Sequence, residues 1–227
     1  MLKTPERDAT KNFLIKKIIC GILLLCPLLF CGCGQYDAAA MLQGNLDVIY
    51  LGEYSPEYLQ AVDLSADEAE AAYENGLLTS AKSFAHKYDI NWELLSEETR
   101  ERLVDLQREV YRHSKYEVGE AVADGEDYLV ELTVQPIDTY SKFLAEDAEG
   151  LLADRQQRLD AGELDGMSEQ QLEEDWAQSI LSLMEQRLDA VGYLPAETIT
   201  VRIAPDEDGY LTITDSDFAR IDGLIIK

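Results

Sequence analysis

Hydrophobicity alternates with a period of two in only two stretches of this chain, residues 115–135 and 197–214, and the rest of its body is patterned for helices. In the first stretch Tyr116, Val118 and Val122 alternate with Glu117 and Gly119. Tyr128, Val130, Leu132 and Val134 then alternate with Leu129, Glu131 and Thr133, as half-buried strands do. A two-residue turn at Asp124-Gly125 would set Val118 opposite Glu131 and send the two apolar sets to opposite faces. A connection of three or five residues sets Val118 opposite Leu132 and Tyr116 opposite Val134. A one-residue slip exposes an entire apolar face, so the odd connection is expected. In the second stretch Ile199, Val201 and Ile203 face Leu211 and Ile213 across a five-residue loop at 205–209. Each hairpin then has one apolar and one polar face, as antiparallel strands do when helices cover a single side. The fold expected is α+β, with helices packed on one face of a four-stranded antiparallel sheet made of two hairpins.

The helices announce their own starts. Asp37 caps a segment running to about Leu51, with Ala38, Met41, Leu42, Ile49 and Tyr50 on its apolar side and Gly52 as its stop. Ser55-Pro56 opens a short helical turn. Ser65 with Glu68, and Ser168 with Gln171, form capping boxes. Tyr73, Leu77, Ala81, Phe84 and Tyr88 make a core-facing stripe behind the first box, and Leu172, Trp176, Ile180, Leu183 and Met184 another behind the second. Ser96 caps a helix carrying Leu103, Leu106 and Val110, and a further helix is expected from about Asp138 to Ala161. Residues 37–227 therefore read as a single α+β domain.

All four cysteines lie in residues 20–33, too close together in an apolar run to staple distant parts of a fold. Lys3, Arg7, Lys11, Lys16 and Lys17 precede an apolar segment from Ile18 to Phe30, and small residues follow it. That is the pattern of a secretory signal. Thirteen residues at 1.5 Å each span about 20 Å, short of the ~30 Å hydrocarbon core, and Pro27 further weakens the alternative of an uncleaved anchor helix. Phe30-Cys31-Gly32-Cys33 resembles the lipobox of bacterial lipoprotein precursors. The resemblance implies cleavage of residues 1–32, attachment of a diacylglycerol to the sulfur of Cys33, and further acylation of the palmitate kind. Residues 33–36 would be a lipidated tether, holding the domain at the cell membrane on the outer side, in the bacterial envelope. The order of elements in the body resembles NTF2-like and cystatin-like envelope domains and surface lipoproteins of Gram-positive bacteria. That likeness is one of architecture, and implies no site.

Without residues 1–32 the chain holds 14 basic and 43 acidic residues, a formal charge of −29. Such a charge excludes nucleic acid as a partner, since phosphates would repel it, and it disfavours anionic headgroups. It suits solubility, or a cationic or protein partner in the envelope.

Catalytic signatures are absent. There is no G-x-S-x-G and no H-E-x-x-H, and no phosphate-cradling glycine loop. The two histidines, His86 and His113, fall near helix C-termini, where the dipole favours them. Trp92 and Trp176 are expected in the core. No cofactor is expected. Asp206, Asp208, Asp215 and Asp217 offer hard oxygen donors for calcium, although acidic turns are common without a metal. The acidic run from Glu146 to Asp175 reads as a solvated helical face. A ligand is expected between sheet and helices or on the polar sheet face, where Glu131, Thr200, Arg202 and Tyr210 carry hydrogen-bonding groups. The expected role is an exported, lipid-anchored binding or interaction module. The alternative is a small envelope hydrolase using carboxylates in the same cleft. A transporter's solute receptor fits less well, because its alternating strand–helix pattern is missing.

Overall fold

The computed structural model describes residues 37–206 and 210–227. Cys33 with its lipobox, the signal segment and Asp208 lie outside the described residues. The compact unit spans Tyr36–Lys227. In chain order it contains α1 (Ala38–Leu46), α2 (Pro56–Ala61), α3 (Ala66–Lys87) and α4 (Glu97–Arg112). Strands β1 (Lys115–Asp124) and β2 (Asp127–Gln135) follow, then α5 (Thr139–Lys142), α6 (Ala148–Asp160) and α7 (Glu169–Leu188). The chain closes with β3 (Glu197–Pro205), β4 (Leu211–Ile213) and α8 (Asp215–Ile225). The sheet is antiparallel in the order β1-β2-β3-β4, and the α+β architecture is as the alternation requires.

The caps form where the residue types allow them. Asp37, Ser55, Ser65, Ser96 and Ser168 each accept a backbone N–H of the following turn, and both capping boxes close. Two π turns interrupt the helices, Asp47–Leu51 after α1 and Phe143–Asp147 between α5 and α6. Gly52, at φ 67°, ends the first of them.

The first hairpin departs from the expected connection. Asp124 pairs with Asp127, so its turn holds just two residues, Gly125 and Glu126, with Gly125 at φ 71°. Even so, Val118 sits opposite Leu132 and Tyr116 opposite Val134. A bulge between Val118 and Ala121 reconciles the two by adding one residue to β1. Gly119 permits the close approach, because a Cβ there would lie 3.2 Å from the carbonyl oxygen of Glu131. Beyond the bulge Ala121 takes the inner face, opposite Val130, and Val122 is 64% exposed instead of buried. In the second hairpin Ile203 pairs with Ile213 and Pro205 with Leu211. Residues 206–210 therefore make the connection, one position later than expected, and the faces are unchanged.

The chain also holds a helix that the sequence reading did not contain. Thr214 caps α8, whose Ile221, Leu224 and Ile225 are buried. Together with Ala38, Met41, Leu42 and Leu46 of α1 and Tyr50 of the π turn after it, they cover Val130, Leu132, Val134, Val201 and Ile203 on one face of the sheet. A second core joins α3, α4, α5 with its following π turn, and α7 through Phe84, Leu103, Tyr140, Phe143, Ile180 and Met184. Among the described residues no helix is long and apolar enough to cross a membrane.

The exit from β2 is held from two sides. Ile137 donates its N–H to the Ile225 carbonyl and accepts from the Lys227 N–H, both at 2.9 Å. Asp138 donates its N–H to the Gly192 carbonyl at 3.1 Å. These bonds place the start of α5 against the turn that follows α7.

Candidate functional site

Three of the four residues expected on the polar sheet face do meet there. Glu131 is paired directly with Thr200, and Arg202 lies opposite Leu129 on the same outer face. Arg202 is already engaged, its guanidinium 2.6 Å from Asp127 and 3.0 Å from Asp124. Those hydrogen bonds, Asp127 first, raise its pKa further. Tyr210 is elsewhere. It borders a groove shared with Met41, Tyr58 and Phe218.

The calcium candidates divide in the same way. Asp206 accepts the Tyr210 N–H at 2.9 Å, and Asp215 opens α8 beside the same groove. Asp217, only 7% exposed, is taken up by the Arg202 N–H at 2.8 Å and by Arg220 at 2.6 Å. No cluster of three or more metal-ligating side chains occurs among the described residues. Trp176 donates its indole N–H to the Tyr88 carbonyl at 3.0 Å and lies under Arg155, whereas Trp92 sits between Lys82 and Arg100. Both rings are partly buried against the helical core.

A cavity of about 370 Å³ opens where α5, the following π turn and α7 meet. Its floor is polar. Asp138 is 6% exposed and Thr139 1% exposed, and both line the cavity. Lys142, one turn along from Asp138, sets its Nζ 2.9 Å from Asp138 Oδ2, a favourable i,i+4 pair. Asp138 Oδ1 and Thr139 Oγ1 are buried and have no hydrogen-bond partner among the described residues. Such groups cost about 1–3 kcal/mol each when left unsatisfied.

The opposite wall is fixed by Arg187 of α7. Its Nε lies 2.5 Å from Asp147 Oδ2 and its Nη2 2.8 Å from Glu146 Oε2. Hydrogen bonding to Asp147, opposed by burial and supported by Glu146, raises the guanidinium pKa. The π turn matters here, because it is the turn that carries Glu146 and Asp147. Gly192 closes the side. A Cβ there would fall 2.5 Å from Asp138 Oδ2, 2.6 Å from Lys142 Nζ and 3.0 Å from Asp138 Oδ1. Any side chain at 192 would push into the ion pair, so the close approach of this backbone requires glycine.

Nothing local in the sequence marks this site. The Asp138–Lys142 spacing is visible in the sequence, but Gly192, which packs against the pair, lies some fifty residues away.

Comparison with protein-family models gives no match, and comparison with curated protein sequences gives none either. Among solved structures, the chain is similar to ycdA of Bacillus subtilis strain 168, provisionally assigned as a lipoprotein. The TM-score is 0.56 at 15% sequence identity, over 84% of this chain and 56% of that one. The two share a fold. The present chain spans little more than half the length of its neighbour.

Proposed function

We propose that the chain is an exported surface protein, anchored by lipid at Cys33, whose domain binds a small polar ligand in the Asp138–Arg187 cavity. The address rests on the basic, apolar and small-residue order of residues 1–33, and the provisional lipoprotein assignment of the structural neighbour agrees with it. The binding role rests on one observation above all: Asp138 and Thr139, whose buried Oδ1 and Oγ1 atoms have no partner among the described residues, line an open cavity. A cavity of this size falls at the low end of small-molecule sites, about 300–1,000 Å³. Binding is favoured over hydrolysis by the same geometry. A carboxylate-dependent hydrolase needs one carboxyl held as a proton donor, and Asp138, Glu146 and Asp147 each face a fixed cation instead.

Residues 34–227 contain the whole compact unit and suffice for the test. Their thermal unfolding would be recorded against a low-molecular-mass extract of cell envelope. A ligand at a hundred times its Kd adds ~2.7 kcal/mol, which for a domain of this size is roughly 5–10 °C. The reading requires such a rise in the wild type and its loss in Asp138→Asn. No rise, or one that Asp138→Asn leaves intact, would remove the cavity from consideration.

A further inference from the structure

We infer that the free edge of β1 is a docking site for an extended, basic segment of a partner protein, which joins the sheet as an added strand. This surface shares no residue with the Asp138 cavity, and the inference does not rest on the reading of that cavity.

The two edges of the sheet are finished differently. Past the end of β4, the edge of β3 is closed by Asp217, which accepts the Arg202 N–H, and by Arg220, which donates to the Thr200 carbonyl. Strand β1, ten residues long, has only β2 beside it. Asp124 and Asp127 flank the turn and exchange both backbone hydrogen bonds, after which the pattern alternates. Ala123 and Ala121 therefore direct their N–H and C=O groups away from β2, and no other backbone partner for them occurs among the described residues. No residue of β1 is buried, although Val130 and Leu132 opposite are 0% exposed. On the inner face Val118 and Ala121 are only partly covered, and apolar side chains of a further strand would complete that cover.

Charge decides which segment fits. Residues 115–135 carry six carboxylates and one cation, Lys115. Lys115 lies over the Tyr193 ring at 3.7 Å, and Arg202 of β3 is held by Asp124 and Asp127. Glu117 and Glu120 are exposed on β1 and have no ion-pair partner among the described residues. Two copies of β1 would set these carboxylates against each other, and like charges on paired strands destabilise. Basic residues at alternate positions of an incoming strand would instead meet Glu117 on the outer face and Glu120 at the bulge. Their aliphatic stems would also cover Val122, which is 64% exposed. The matching segment thus alternates apolar residues, turned toward the helices, with lysine or arginine, turned toward solvent. Backbone bonds supply affinity in such an addition, and the alternate side chains supply specificity.

The test titrates a capped peptide that alternates valine and lysine into residues 34–227, with hydrogen exchange of the backbone amides as a second readout. The inference expects saturable binding and slowed exchange at the Ala121 and Ala123 N–H groups. Reversing the charges with Glu117→Lys and Glu120→Lys together should raise Kd about tenfold. Ala123→Pro should abolish binding and still fold, because proline is accepted at an edge position whose N–H faces solvent. The same peptide N-methylated at every residue keeps its charge and cannot pair, so it should not bind. That control decides the matter even where Ala123→Pro unfolds the domain. Equal binding by the N-methylated peptide would mean diffuse attraction to an acidic surface, and would overturn the inference. So would an absence of binding, binding that leaves Ala121 and Ala123 unprotected, or equal binding of a valine–glutamate peptide. Sedimentation of the domain alone supplies the last outcome. A dimer that Ala123→Pro dissolves would assign the edge to a second copy and overturn the inference in favour of self-association.

Discussion

The carboxylate of Asp217 accepts the backbone N–H of Arg202 at 2.8 Å, beyond the point where β4 ends. Strand β4 pairs only with residues 203–205, so the remainder of that edge of β3 has no strand beside it. The first turn of α8 stands in for one. Asp217 takes the Arg202 N–H, and Arg220, bonded to Asp217 at 2.6 Å, donates to the Thr200 carbonyl at 3.3 Å. A bare edge invites pairing with another chain, and here an ion pair occupies it.

Asp217→Ala should therefore destabilise the domain by about 1–3 kcal/mol, because it strands a half-buried N–H and loosens Arg220. Urea unfolding measures this. A loss below 0.5 kcal/mol, the range of ordinary surface substitutions, would show that the edge is satisfied in some other way.

Gly119 carries a second prediction. Gly119→Val places a branched side chain where a Cβ alone is 3.2 Å from the Glu131 carbonyl oxygen. The variant should lose about 1–3 kcal/mol, whereas Gly150→Ala, in open space within α6, should gain up to about 1 kcal/mol. Chemical denaturation of the pair separates a packing requirement from a general effect of glycine replacement.

Acid stability should depend on Glu174. Burial alone would raise its pKa, but hydrogen bonds from Thr99 and Ser96, aided by the charge of Arg100, more than offset that and hold it below the ordinary 4.5. A group lowered on folding contributes its full share above its unfolded pKa and loses it as pH falls through the folded value. The wild type should thus shed about 1 kcal/mol of stability between pH 5 and the acid limit that Glu174→Gln does not shed. Unfolding curves at pH 7 and pH 3 for the two proteins would show whether the difference narrows. An unchanged gap would mean that Glu174 does not cap α4 through its charge.

Thr139→Val should fold at least as stably as the wild type, since an orphaned buried hydroxyl costs free energy that an apolar isostere avoids. A loss above 1.5 kcal/mol in urea would reveal a structural partner for this hydroxyl and weaken the case for a ligand there.

Much of the architecture was legible because its signals are local. Ser65, Ser96 and Ser168 mark their helices by residue type, and the faces of β2 follow from alternation alone. At the first connection turn preference and face burial conflict in a regular hairpin. A bulge at Gly119 satisfies both, and a glycine in an alternating strand was the available hint. Helix α8 was missed although Thr214 precedes it and Phe218, Ile221, Leu224 and Ile225 recur at helical spacing. Asp215 and Asp217 also suit a cation or an acidic turn, which obscures the helix start. The cavity could not be read at all. Asp138 and Lys142 are neighbours in sequence, but Gly192 and Arg187 reach them only through the packing of α7.

The central claim is one of location, and amide chemical shifts measure location. Residues 34–227, labelled with nitrogen-15, would be titrated with the low-molecular-mass envelope extract. The account predicts shifts concentrated at Asp138, Thr139, Lys142, Arg187 and Gly192, and their disappearance in Asp138→Asn. Shifts centred on the Tyr210 groove or on Trp92 with the Asp138 region unmoved, or no shifts at any concentration, would contradict it.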